Sequence, residues 1–207
     1  MTLRKDRGST GSLPASPARR RVIAGGLLSG LVAAGVTGTG LAQAARPRGW
    51  PRMTGFAGID QRHLKIRQAG RDEALHVAFR TADGAPDRAG LRALNWLFRD
   101  WRDGDRGLAI DIRLFDLLAV VQVTLSLVAN RPQELVLVSG YRTPRRNATL
   151  EGAAANSRHI VGQAADIRVP GLAPARVAEV AEIAGVPGLG RYPGFTHIDT
   201  GARGRRW

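Results

Sequence analysis

Cysteine is absent from the 207-residue chain. Its absence excludes disulfides, thiol nucleophiles, iron–sulfur clusters, cysteine-ligated zinc and the acylated cysteine of a lipoprotein anchor. A bound metal would therefore need histidine, aspartate or glutamate ligands, and the chain has only 4 histidines. Hydrophobic residues make up 43% and charged residues 23%, which are ordinary globular values. These values exclude a long disordered polymer and a multi-span membrane protein, and the length predicts one domain with an appendage.

Acidic residues are also scarce, because 17 Asp and Glu face 31 Lys and Arg and give a net charge of +14. Residues 1–44 hold six basic side chains and one acidic side chain, so +5 of this charge lies there and +9 in the remainder. A basic surface suits nucleic acid, anionic lipid or the acidic bacterial cell wall. Charge alone does not choose among these partners.

Residues 1–44 have the layout of an export signal. Three arginines, at 19–21, precede the weakly apolar stretch 22–36, and the small-x-small pattern 42–44 follows. The stretch is short and glycine-rich for a transmembrane helix. Paired arginines before such a stretch favour the twin-arginine export route. We therefore expect a periplasmic protein, which touches the membrane only if this segment stays uncleaved as an anchor. That location argues against nucleic acid as the partner.

The remainder predicts one α+β unit over residues 59–207, preceded by a linker over 45–58. Alternating residues predict a hairpin over 62–80, and the apolar run 134–139 predicts a central strand. Helical spacing predicts one helix over 91–101 and a second over 111–129. The second helix is apolar on most sides and is expected to be buried. Two more strands are predicted at 163–169 and 195–199.

Three candidate metal ligands lie in and beside these last two strands: His159, Asp166 and His197. Two histidines and a carboxylate are a suitable zinc set, and they leave a fourth position open for water, as catalytic zinc sites do. By spacing alone, an ordinary loop or strand residue is the favoured interpretation of either histidine. The other two, His63 and His76, fall on the predicted hairpin and are expected to be structural or exposed.

The candidate ligands belong to a longer series of motifs. In chain order these are Leu94-Asn95, Arg99-Asp100-Trp101-Arg102, Ser139-Gly140-Tyr141-Arg142, Asn147, Ser157, His159, Gly162, Ala164, Asp166, His197-Ile198-Asp199-Thr200-Gly201 and Arg206-Trp207. The series resembles the zinc D-Ala-D-Ala peptidases of the VanX and VanY type, which share their fold with the N-terminal domain of hedgehog. It is more similar to the YcbK-like murein endopeptidases, where the resemblance covers most of the chain after the export segment. The implied fold is a single α+β domain, in which a small, mostly antiparallel sheet carries a zinc site and packs against helices.

The resemblance also implies roles for individual residues. It implies zinc ligation by the three candidate ligands. It implies that Arg142 points into the site, where a guanidinium would stabilise an oxyanion or bind a substrate carboxylate. A surface ion pair is the alternative for that arginine. Ser157 matches a substrate-contacting hydroxyl, with a capping hydrogen bond as the alternative. Tyr141 would line the substrate pocket or simply pack.

The general base is left open. The VanX-type enzymes carry an acid three residues before the last ligand histidine, and Gly194 occupies that position here. Asp199 lies two residues after His197 on the same strand face and is the catalytic candidate. Alternatively, Asp199 orients His197. Glu151, in the loop before His159, is a weaker candidate for the base.

These inferences predict a zinc metallopeptidase of the murein endopeptidase or D,D-carboxypeptidase type. It would cleave stem peptides or cross-links of peptidoglycan by attack of a metal-activated water. The expected partners are Zn²⁺ and peptidoglycan peptides, without nucleic acid, and the protein is expected to be a monomer. The alternative is a non-catalytic, metal-containing module that binds peptidoglycan, because the missing upstream acid leaves catalysis without an assigned base.

Overall fold

The structure is a computed structural model that describes residues 54–56, 59–60 and 62–207. The predicted export segment, 1–44, and most of the predicted linker lie outside the described residues. The last part of that linker, Thr54–Phe56, forms strand β1, which pairs antiparallel with β2, Ile59–Asp60. All the described residues belong to one unit, Pro47–Trp207.

The predicted hairpin is confirmed. Strands β3, His63–Gln68, and β4, Ala74–Ala78, pair antiparallel. Buried and half-exposed residues alternate along β3, so Leu64 and Ile66 enter the core while their neighbours face the other way. The two-residue period of a strand therefore sets which side of this hairpin is buried.

A seven-stranded mixed sheet forms the centre of the domain. The strands that follow the hairpin are β5 Leu135–Ser139, β6 Ala164–Arg168, β7 Gly188–Arg191, β8 Thr196–Asp199 and β9 Arg205–Arg206. The order across the sheet is β4-β3-β5-β6-β8-β7-β9. The β3–β5 and β7–β9 pairs are parallel and the other four pairs are antiparallel. The predicted antiparallel character is confirmed, but the sheet has more strands than the small one expected.

In the part of the chain that the structure describes, four α-helices accompany the sheet. They are α1 Arg88–Leu97, α2 Ile112–Val128, α3 Pro144–Ala148 and α4 Pro174–Ile183. Asp87 caps α1 by accepting a hydrogen bond from the Gly90 N–H at 2.8 Å. Helix α2 is buried on most sides, as its apolar sequence predicts. Helices α3 and α4 were not predicted, although each begins with proline in its first turn, a common helix start.

The sheet has two different faces. One face packs against α2 and α4 and carries the apolar core residues of the strands, such as Leu137, Ile167 and Ile198. The opposite face carries Asp166 on β6 and His197 on β8; we call it the site face. Among the described residues, the helices are too short or too polar to cross a bilayer.

Candidate metal centre

Two adjacent strands and one short turn hold the three candidate ligands. Asp166 of β6 and His197 of β8 are paired in register, so their side chains leave the same face of the sheet. His159 lies in the 3₁₀ turn Arg158–Val161, which immediately precedes β6. Gly162 ends that turn with φ +67°, and a Cβ there would lie 2.5 Å from Leu108 Cδ1. Glycine at this position therefore lets the chain reverse and bring His159 over Asp166.

The three side chains meet at three atoms. His159 Nε2 lies 3.2 Å from Asp166 Oδ1 and 3.2 Å from His197 Nδ1, and His197 Nδ1 lies 2.8 Å from Asp166 Oδ1. All three residues are buried. Tetrahedral zinc, with ligand bonds of about 2.0–2.2 Å, requires ligand atoms about 3.3 Å apart. The spacing of this cluster therefore suits such an ion with little rearrangement.

A hydrogen bond on the outer side of each imidazole fixes which ring nitrogen faces the cluster. The His159 Nδ1–H donates to the Gly140 carbonyl at 2.7 Å, which leaves the Nε2 lone pair towards Asp166. The His197 Nε2–H donates to Asp199 Oδ2 at 3.3 Å, which leaves the Nδ1 lone pair towards Asp166. Two lone pairs and a carboxylate oxygen thus converge, an arrangement that a bound cation satisfies. The donor set fits a metal ion.

The charges around the cluster shift its pKa values. Burial raises the pKa of the Asp166 carboxyl, but His159 and His197 outweigh burial and hold that pKa well below its usual range. Burial lowers the pKa of His159, and its contact with Asp166 does not fully restore it. Burial also lowers the pKa of His197, but Asp166 and Asp199 together raise it above its usual value. A proton on the cluster is therefore favoured on His197, where it competes with a metal ion.

Asp199 lies behind His197, away from the other two ligand side chains. Its Oδ1 accepts a hydrogen bond from the Gly201 N–H at 2.7 Å, and the side chain is completely buried. Burial raises the pKa of Asp199, but the His197 and Gly201 hydrogen bonds outweigh it and lower the pKa overall. A Cβ on Gly188 would lie only 2.2 Å from the Asp199 carboxylate, so this pocket requires glycine. The geometry matches a carboxylate that orients an imidazole.

Arg142 reaches the cluster through Asp166. Its Nη2–H donates to Asp166 Oδ2 at 2.5 Å, and its Nε–H donates to the Ser139 hydroxyl at 2.9 Å. Asp166 thus contacts the two histidines through Oδ1 and the Arg142 guanidinium through Oδ2. The arginine side chain is 13% exposed, so part of it still faces outward. Ser139, which was part of the sequence motif but had no predicted role, orients this guanidinium.

The other predicted residues lie around the cluster without entering it. The Ser157 hydroxyl caps the 3₁₀ turn and accepts from the His159 N–H at 3.4 Å. Tyr141 is half-buried, packs against the apolar core and lines a cavity next to Thr143. Glu151 is exposed in a turn. His63 and His76 lie near each other on the hairpin, with ring centroids 6.2 Å apart and ring planes tilted by 60°.

An aromatic group that the sequence does not predict lies beside His197. The Trp207 ring centroid lies 5.2 Å from that of His197, and the indole Nε1–H donates to the Tyr192 hydroxyl at 2.8 Å. Tyr192 in turn stacks on Phe195 at 4.5 Å. Trp207 and Tyr192 are 45% and 39% exposed, so they offer an apolar surface next to a ligand. No sequence signal points to this grouping beyond the position of Trp207 in the terminal motif.

The fold and the cluster define a class of protein: an α+β domain in which a buried His/Asp/His set beside the sheet could hold a metal ion. The family model described as peptidoglycan L,D-endopeptidase MepK, a peptidase M15 family, matches residues 57–207. The chain belongs to this family. The predicted resemblance to YcbK-like murein endopeptidases is therefore confirmed.

Curated relatives agree with that assignment. The chain is 35% identical over 146 residues to a probable peptidoglycan L,D-endopeptidase MepK of Haemophilus influenzae. The matched region covers 68% of this chain and 76% of that protein. It is 37% identical over 123 residues to peptidoglycan L,D-endopeptidase MepK of Escherichia coli K12. That matched region covers 56% of this chain and 64% of the relative.

Proposed function

We propose that this protein is a zinc-dependent L,D-endopeptidase that cleaves peptide bonds of peptidoglycan outside the cytoplasm. The observation that carries the proposal is the convergence of three ligand atoms, with both imidazoles oriented from behind, in a chain of this family. Nothing in the comparisons supports the D,D-carboxypeptidase alternative. The family is described as a peptidoglycan L,D-endopeptidase family.

His159, Asp166 and His197 would hold the ion. Zinc bound by these residues would supply a water of near-neutral pKa and a Lewis acid for the substrate carbonyl. The hydrogen bonds to Gly140 and Asp199 fix the ring orientations, so that His159 Nε2 and His197 Nδ1 face the position of the ion. Because a proton on His197 competes with the ion, metal affinity is expected to fall as the pH falls.

Arg142 would act from the edge of the cluster. Its guanidinium is held by two hydrogen bonds and remains partly exposed, so it is a fixed positive charge that reaches substrate. Such a charge stabilises the negative oxygen that develops when a peptide carbonyl is attacked. Ser157 and Tyr141 would border the substrate without taking part in proton transfer. We assign Asp199 the orienting role, because it contacts the ring nitrogen opposite the other ligands.

The export route remains part of the proposal. Residues 1–44 carry the twin-arginine-like pattern, and peptidoglycan lies outside the cytoplasm. We therefore propose a periplasmic protein. Replacing Arg20 and Arg21 together with lysine should retain the protein in the cytoplasm, as fractionation would show.

The function is tested with purified murein. The full chain, loaded with zinc, is incubated with murein with and without a chelator, and the muropeptides are resolved by mass. Cleavage at an L,D bond that the chelator blocks is the expected result. Loss of terminal D-alanine alone would contradict the endopeptidase assignment. Tight zinc binding without any cleavage would instead favour the non-catalytic binding module.

A further inference from the structure

The site face of the sheet continues beyond the metal cluster. Arg168 follows Asp166 by two residues on β6, so both side chains leave the same face, with Cα atoms about 6.5–7 Å apart. Arg168 is paired in register with Val136 of β5, and Val136 is paired with Arg67 of β3. Arg67, Val136 and Arg168 therefore form a row across the sheet, next to the row that holds Asp166 and His197.

Burial confirms the direction of these side chains. Ile167 is completely buried on the core face, whereas Arg168 is exposed. Arg67 is half-exposed between the buried residues Ile66 and Gln68. The row lines a cavity of about 480 Å³, closed on one side by the β7–β8 turn at Pro193 and Gly194. The cavity is bordered by two arginines, and one of them, Arg168, lies two residues from Asp166 on the same strand.

The two arginines differ in their surroundings. Arg67 pairs with Glu134 at 3.3 Å, which neutralises much of its charge. Among the residues that the structure describes, Arg168 pairs with no carboxylate, whereas Arg67 of the same row and Arg142 each pair with one. An exposed, unpaired guanidinium at the rim of a cleft is suited to bind a carboxylate of a ligand through two parallel hydrogen bonds.

We propose that Arg168 is a specificity-determining residue that binds a free carboxylate of the substrate peptide, one or two residues from the scissile bond. The inference rests on the proposed function, because the position of the scissile bond is set by the metal cluster. An extended peptide rises about 3.3 Å per residue, so the spacing of the two rows equals about two residues of substrate. Peptidoglycan stem peptides carry free carboxylates, whereas a neutral peptide would leave Arg168 unsatisfied.

The test compares a stem peptide that contains the L,D bond with the same peptide in which the neighbouring free carboxylate is a carboxamide. Cleavage by the zinc-loaded full chain should favour the carboxylate by about 10-fold in kcat/KM, the usual effect of one charge-assisted hydrogen bond. Arg168→Gln should remove this preference and leave cleavage of the carboxamide unchanged. Arg176→Gln, on the exposed side of α4, is the matched control and should retain the preference.

A binding measurement separates this inference from the proposed function. Calorimetric titration of both peptides against the His159→Ala chain needs no cleavage, and it should show tighter binding of the carboxylate that Arg168→Gln abolishes. If the wild type cleaves neither peptide, the proposed function fails while the binding comparison still decides the role of Arg168. An undiminished preference in Arg168→Gln overturns the inference. An equal loss in Arg176→Gln also overturns it, since that result would mean unspecific attraction to a basic surface.

Discussion

Asp199 Oδ2 contacts His197 on Nε2, while His197 Nδ1 faces Asp166 at 2.8 Å. One imidazole therefore separates the two carboxylates. A carboxylate in this position raises the basicity of its histidine and fixes the ring, but it does not face the atoms that would bind a metal. The relationship supports the orienting role that we propose for Asp199, one of the two roles that the sequence left open, and this proposal can be tested.

Asp199→Asn should weaken zinc binding by about 10–100-fold, because the histidine loses a charged partner. At saturating zinc, the variant should recover most of its kcat. Competition with a fluorescent chelator measures the affinity, and peptide cleavage at high zinc measures kcat. A variant with full zinc occupancy and kcat lowered by more than 100-fold would show instead that Asp199 is the general base.

Gly188→Ala should displace Asp199 and thereby disturb the orientation of the His197 imidazole. The new methyl group would lie 2.2–2.3 Å from the Asp199 carboxyl atoms, and Asp199 is completely buried, so something must move. We expect a loss of about 1–3 kcal/mol in the free energy of unfolding, together with weaker zinc binding. Urea denaturation measures the first effect. Gly194→Ala is the control, because no atom lies within 4 Å of its Cβ position.

Arg142→Lys should lower kcat by about 100-fold while the protein remains folded. Lysine keeps the charge, but it cannot donate in two fixed directions to Asp166 and Ser139 at once. Arg145→Lys is the matched control, because that side chain is 82% exposed, and its activity should stay close to wild type. Equal activities of the two variants would leave Arg142 without a role in the transition state.

Glu73 should make stability depend on acidic pH. Arg99, whose side chain is 2% exposed, donates to both Glu73 oxygens at 2.8 and 2.9 Å. This pairing is the main cause that lowers the pKa of Glu73 from 4.5 to about 2. The depressed pKa means that the stabilisation is complete above about pH 4.5 and is lost as the pH falls towards 2.

Glu73→Gln should therefore cost about 1–2 kcal/mol at neutral pH and less at pH 3, since the Glu73 side of the pair is partly screened by solvent. Urea denaturation of both proteins at the two pH values measures the difference, and other acidic groups cancel in that comparison. Glu179→Gln, at an exposed pair with Arg176, should behave like the wild type at both values. A pH-independent difference for Glu73→Gln would contradict the linkage.

Much of the fold could be predicted from local patterns. The hairpin of β3 and β4, the buried helix α2 and the strands that carry Asp166 and His197 all follow a two- or 3.6-residue period. Helix α4 is not predicted from the sequence because it is rich in alanine, so its apolar face gives a weak signal. Strand β7 was missed because Gly188 and Gly190 give it little strand character. Its glycines are explained by Asp199 and Trp207, which fill the space where side chains would lie.

The sequence by itself determined the identity of the candidate ligands, their order and the strand faces of His197 and Asp199, because these depend on residue type and on the period of a strand. The tertiary structure decided which ring nitrogens face inward, through the Gly140 carbonyl and Asp199. It also placed Arg142 on Asp166, Trp207 beside His197 and Arg168 at the rim of a cleft. These contacts join residues from separate elements, so they depend on strand order and on loop closure. No local pattern encodes either.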